Sequence, residues 1–304
     1  MTAAVPIRPK VRYVECQPVE QQGQRSFVLT DPTGLAPNPI VVSPAVVFLL
    51  QRFDGRHTLP EIAASLKDAT GEVVPPEQLE QLVRSLDEAR MLDSEEFRAF
   101  RSGLLAEYRE AEHRPFLHGG TAYPVEPDAL RAWHGALDAR PLEGAAPAGR
   151  VVGAAAPHID LRFGGASCRL VHDRLRHSAD GADAVETVVV LGTGHCAAED
   201  LFTLTRPAFQ TPLGPVETDL ELVDALAARL GEERMFRGEL LHAKEHTVEF
   251  QAVLLRLTYG EAAPRMLPVL VGSLHEFMAA GTDPYADPRV RGFVDGLREE
   301  IDRL

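Results

Sequence analysis

The sequence predicts an α/β fold, a largely parallel or mixed sheet flanked by helices, preceded by a small α+β unit. Three observations carry that expectation. From about residue 150 onward, short continuous apolar runs alternate with amphipathic helical stretches, the pattern of strands buried on both faces with crossover helices between them. Ahead of that point the period differs, with short strand-like stretches and turns first and helical spacing after. And 304 residues, at roughly 150 per domain, make about two domains.

Each element has a local reason. Ser26 to Thr30 reads as a strand, and Asp31-Pro32-Thr33-Gly34 is turn chemistry. Ser43-Pro44 caps and opens a helix through Leu49 and Leu50. Leu59-Pro60-Glu61-Ile62 begins a second helix, and Pro75-Pro76-Glu77 opens a third, with Leu79, Leu82, Val83 and Leu86 at helical spacing. Residues 96–112 are charged and helical, and read as a linker helix. Residues 140–149 read as a Pro/Gly/Ala loop. Val151 to Ala156 is a small apolar run expected to form a buried strand, with Leu170, Val171 and Leu175 marking a following helix. Val185 to Leu191 and Met266 to Val271 are the next buried strands. Leu220, Leu222, Val223, Leu226 and Leu230 make an amphipathic helix, another runs from near Glu245 through Leu257, and residues 287–304 make a last one. The expected division is 1–95, a helical linker 96–112, and an α/β domain over 113–304.

Composition narrows the function. With 45 acidic and 31 basic residues the net charge is -14, which argues against a nucleic-acid binder that works by bulk electrostatics. No apolar run approaches the roughly 20 residues of a membrane span. Three scattered cysteines, Cys16, Cys168 and Cys196, make no disulfide framework, and the start MTAAVPIRPKVRY has no apolar signal core. A cytoplasmic protein is the expectation. Only His57 precedes residue 111, and the other ten of the 11 histidines lie between His113 and His275. Chemistry, if present, belongs to the second part of the chain.

Two of those histidines follow predicted strands. The run 151–156 leads into Pro157-His158, and the run 185–191 leads into Gly192-Thr193-Gly194-His195-Cys196. Ligands of open α/β sheets bind beyond the carboxyl ends of strands, and two imidazoles delivered there could share one metal ion. A packed structural role for either ring alone is about as frequent. A third feature, His242-Ala243-Lys244-Glu245-His246, matches H-x-x-E-H, in which two histidines one helical turn apart clamp zinc beside a glutamate base. Five residues match by chance often, so zinc-peptidase chemistry is the lesser expectation. Cys168, in a helical stretch, reads as core.

The N-terminal part resembles a PqqD-like, winged-helix-type module. The carrying residues are Phe48-Leu49-Leu50, Phe53-Asp54-Gly55, Thr58-Leu59, Glu61-Ile62 and Leu82, Leu86, Met91-Leu92. That resemblance, over about residues 11–95, implies a module that binds a peptide or holds a protein partner. A small helical packing domain with no ligand stands beside it.

Residues 112–304 are similar to the Memo family, called AmmeMemoRadiSam system protein B in prokaryotes. The series runs from His118-Gly119-Gly120-Thr121-Ala122-Tyr123-Pro124 through Ala156-Pro157-His158 and Gly164-Gly165-Ala166 to Leu191-Gly192-Thr193-Gly194-His195. It continues with Thr211-Pro212-Leu213-Gly214-Pro215-Val216-Glu217-Thr218-Asp219, Glu245-His246-Thr247-Val248-Glu249-Phe250-Gln251 and Pro268-Val269-Leu270-Val271-Gly272. The resemblance implies a fold like that of class III extradiol dioxygenases, with His158 and His195 as metal ligands, His246 as the catalytic acid/base or supporting group, and His118 near the cleft. Cys196 stands where some members have a second histidine and is a candidate substitute ligand, with buried packing its commoner role. The implied cofactor is a divalent metal, Fe(II) first and Cu or Zn as alternatives. The implied occupant of the cleft is a small molecule or peptide. A non-enzymatic binding protein that reuses a vestigial cleft is the rival expectation. The family pattern also continues past residues 287–304 into an Asp-x-x-His element and a later Cys or acid. Neither is within these 304 residues, so weak metal binding and no ring cleavage are expected.

Overall fold

The computed structural model describes residues 6–21, 23–137, 151–178, 185–196 and 201–303. The loop expected at 140–149 lies outside the described residues. The chain divides into two compact units, Met1–Leu104 and Leu105–Leu304.

In the first unit β1 (Glu15–Gln21), β2 (Gln24–Thr30) and β3 (Ile40–Val42) form an antiparallel sheet in that order. Helices α1 (Pro44–Leu50), α2 (Leu59–Thr70) and α3 (Pro76–Glu88) follow. Ser43 accepts from the Val46 amide at the start of α1. Thr58 and Glu61 form a reciprocal capping box on α2, which ends at Gly71 with φ +79°. Ile62 and Leu66 of α2 pack with Leu79, Val83 and Leu86 of α3, all buried, in a core of this unit's own. The predicted linker helix is α4 (Glu95–Glu110), and the boundary between the units falls inside it.

The second unit begins with β4 (His113–Arg114), α5 (Pro127–Ala136) and α6 (Leu161–Ser178). Then come β5 (Thr187–Thr193), β6 (Phe202–Leu204), β7 (Ala208–Phe209), α7 (Leu220–Leu230) and the short α8 (Glu232–Met235). The chain closes with α9 (His246–Tyr259), β8 (Arg265–Val271), α10 (His275–Ala280) and α11 (Pro288–Ile301). The main sheet has the order β5-β8-β6, with β5 parallel and β6 antiparallel to β8. A second, two-stranded sheet pairs β4 with β7 in parallel. This is the mixed α/β architecture expected.

Strand periodicity sorts the helices onto two faces of the main sheet. Val190, Met266 and Leu270 face Val248, Ala252 and Leu255 of α9. Val189, Leu267 and Val269 face the other way, onto Leu222, Val223 and Leu226 of α7 and Val290 and Phe293 of α11. Gly192 lets α9 come close. A Cβ there would lie 2.6 Å from Thr247 Oγ1 and 2.7 Å from Val248 Cγ2.

One predicted strand is absent. Residues 151–156 carry no strand, and Val152 is 91% exposed. After its two valines the run holds only Gly153 and three alanines, too little side chain to cover a sheet face. No strand among the described residues pairs with it. His158 therefore arrives on an exposed segment outside any strand rather than at a strand end.

Candidate functional site

Four histidines from four segments meet beside the start of α9. His195 follows the carboxyl end of β5, where the Gly194 amide bonds the Val271 carbonyl at 2.8 Å and holds the turn to β8. His246 is the first residue of α9. His118 sits in a tight loop closed by Ala122 N–H to the His118 carbonyl (2.8 Å) and Gly120 N–H to the Tyr123 carbonyl (2.7 Å). Gly120 there has φ +79°, and a Cβ on Gly119 would strike Val125 and Phe116 below 3.0 Å. His158 lies just before α6, next to Pro157, whose carbonyl accepts from the Cys168 thiol at 3.3 Å. Cys168 is buried, as a core residue should be.

The rings form a continuous chain. The centroid separations are 5.5 Å for His158–His195, 5.0 Å for His195–His246 (stacked) and 5.6 Å for His118–His246. Phe250, one turn into α9, packs against both His118 and His246.

Two carboxylates one helical turn apart, one capping α9 and one within it, hold this group. Glu245 caps the helix, its Oε1 accepting from the His246 amide at 2.8 Å. The same oxygen lies 3.0 Å from His246 Nδ1, while Oε2 accepts from the His195 amide at 3.1 Å and lies 3.1 Å from His195 Nδ1. Burial would raise its pKa, but these bonds outweigh burial and bring it down to about 2. His246 is shifted up, first by the bond to Glu245, with the His158 carbonyl adding to it against burial. Glu249 is fully buried and accepts from Arg114 Nη1 (2.6 Å), Tyr123 Oη (2.6 Å), the Leu117 and His118 amides, and lies 3.1 Å from His118 Nδ1. Burial opposes, yet the His118 bond and the Arg114 charge hold its carboxyl at about 2. Arg114, also fully buried, spends its other donors on the carbonyls of His242, Glu245 and Pro115.

A metal fits the donor set. Metal–nitrogen bonds of about 2.1 Å put the ring centres of two imidazoles on one ion roughly 5–6 Å apart, and the His158–His195 and His195–His246 pairs lie at that spacing. Among the described residues, the ligand-type atoms of His195, Glu245 and His246 all fall within 4.8 Å of one another. That close group includes neither His158 nor Cys196, the half-buried residue after His195.

The H-x-x-E-H reading fails on geometry. His242 lies in a separate 3-10 turn, Glu239–Ala243, not on α9. It is buried, with Nε2 3.0 Å from the Thr203 carbonyl, and burial lowers its pKa to about 3. Sequence reasoning passed over Glu249 as a site residue and saw Glu245 only as a peptidase base. The signal that would have found them is the i, i+4 spacing of two carboxylates flanking His246 on one helix.

The fold and site define an α/β domain with a cluster of histidines at the carboxyl end of a parallel strand pair. Residues 114–282 match the family model described as "Memo-like protein", and the chain belongs to the Memo family. It is 29% identical over 274 residues to a MEMO1 family protein of Aquifex aeolicus, covering 87% of this chain and 66% of that one. It is 33% identical over 152 residues to one of Methanopyrus kandleri, 50% of this chain and 48% of the other. A third, from Thermus thermophilus, is 29% identical over 220 residues, 72% of this chain and 63% of its own. The chain thus spans between about half and two thirds of the length of these curated relatives. No helix among the described residues is long and apolar enough to cross a membrane.

Proposed function

We propose that the second unit binds a divalent metal, Fe(II) first, through His158 and His195, and carries out metal-dependent redox chemistry on a small molecule. The observation that carries this reading is the unbroken chain of four imidazoles, 5.0–5.6 Å from ring to ring, at the end of β5. When bound, such an ion polarises a substrate oxygen as a Lewis acid. The chain's own residues do the rest. Glu245 orients His195, and Glu249 with Arg114 and Tyr123 fixes His118 at the opposite side of His246. Glu245 holds the Nδ1 hydrogen of His246, so the proton that the charged ring hands to a substrate oxygen as general acid is the one on Nε2. Cys196 remains a candidate extra ligand. The PqqD-like reading of the first unit makes it the place where a protein partner is held.

Anaerobic titration with Fe(II) tests the metal reading, with His158→Ala and His195→Ala as comparisons. Weak binding that either substitution abolishes supports it. Tight stoichiometric binding retained by both variants overturns the ligand assignment. A second reading is a cleft that binds a peptide or partner without turnover. It is favoured by the exposed Ile159 and Phe163 beside His158, which offer apolar contact rather than chemistry. Oxygen uptake by the iron-loaded chain with catechols, oxidised with their rings intact, separates the two, since the binding protein consumes none.

A further inference from the structure

We infer that Glu245 is a positioning residue which holds His195 in one tautomer, Nδ1 protonated and Nε2 bare, and is not itself a ligand of the ion. The inference rests on the metal reading above and adds the residue that makes His195 fit to bind.

Glu245 is fixed at both ends. Its carbonyl accepts from Arg114 Nη2 at 2.9 Å, and Arg114 is buried and braced by Glu249. Its carboxylate meets the His195 amide and the His195 ring together, through Oε2 at 3.1 Å each, and Oε1 lies 3.2 Å from the same Nδ1. A carboxylate only accepts, so the nitrogen facing it must carry the hydrogen. In a neutral imidazole the other nitrogen is then the lone-pair donor. The bond to the backbone amide of the same residue fixes where the ring's stem begins, so two contacts set both the place and the turn of the ring.

The acceptor count argues against direct ligation. A carboxylate has about four acceptor positions. Oε1 serves His246 N and Nδ1, with the Thr247 amide at 3.3 Å and His195 Nδ1 at 3.2 Å, and Oε2 serves His195 N and Nδ1. All are in use. To ligate, Glu245 would have to release both rings and the first turn of α9. The proximity of Glu245 to His195 and His246 within 4.8 Å is therefore that of an orienting partner.

The test uses the whole chain in two measurements. The first is the side-chain 15N spectrum of the metal-free protein, with His195 assigned by comparison with His195→Gln. The expected signature is the Nδ1–H tautomer in the parent chain and a growing Nε2–H population in Glu245→Gln and Glu245→Asp. The second is anaerobic Fe(II) titration of the same proteins. Aspartate still caps a helix well but is one methylene too short to reach both rings. Glu245→Asp should thus keep the parent's thermal midpoint while its Fe(II) affinity falls about 10–100-fold. A bare Nδ1 on His195 in the parent overturns the inference, as does affinity within about twofold of the parent in both variants. Loss far beyond 100-fold with the His195 tautomer unchanged would make Glu245 a ligand instead. If the parent chain takes up no Fe(II), the metal reading falls, and the spectrum of the metal-free chain still decides whether Glu245 sets the ring.

Discussion

Glu249 shows how much one buried side chain does here. It is the counter-charge of Arg114 and the acceptor for His118 and Tyr123. Removing one partner of a buried pair leaves the other charge without compensation, which costs about 3–5 kcal/mol. Glu249→Ala is expected to lose that much in urea unfolding, well above what its lost packing alone would cost. Acid should act through the same group. Its carboxyl lies at about 2 in the folded chain against an ordinary 4.5. The stability it contributes is complete above about pH 4.5 and drains away as the pH falls toward 2. His242 makes an earlier phase. Held neutral by burial down to about 3, it takes up no proton where the unfolded chain, with an ordinary histidine near 6.5, does. Folding stability should therefore fall as the pH drops from about 6.5 toward 3. Urea midpoints at pH 7 and pH 4 check this. The parent chain should lose more between them than His242→Gln, and equal losses would contradict it.

At the scale of elements, the site depends on how α9 lies on β5. Gly192 sets that distance, because a Cβ there meets Thr247 and Val248 below 3.0 Å. Gly192→Ala should destabilise the second unit by about 1–3 kcal/mol. It should also weaken Fe(II) binding, since Glu245 moves with the helix; unfolding and titration on one variant check both. The strands β5 and β8 were legible in the sequence because runs of branched apolar residues buried on both faces have few other uses. The run 151–156 has the same apolar look, but a strand needs a partner, and pairing is not written in a segment's own composition. The arrival of His195 beyond a strand followed from local order. The work of Glu245 and Glu249 did not, because acidic residues on a helix ordinarily face water. What buries Glu249 is Arg114, 135 positions away along the chain, and no local pattern announces such a pairing. The fit of His118 against His246 was hidden for the same reason.

The whole molecule carries separate cores in its two units, one around Ile62 and Val83 and others around α7, α9 and β8. Its unfolding is accordingly not expected to be a single two-state event, and calorimetry should resolve more than one transition. A coincident single transition by calorimetry and circular dichroism would contradict this. The last consequence comes from the order β5-β8-β6. Strand β5 is outermost, and among the described residues nothing pairs with its other side. Its sequence TVVVLGT has no charge and no proline, and Leu191 on it is 58% exposed. Such an edge is a template onto which a second chain can add. Light scattering should show an apparent mass that rises with protein concentration, and Leu191→Lys should flatten that rise. The dilution at which an assay is run then decides which particle it observes, and only dilute samples report the single chain.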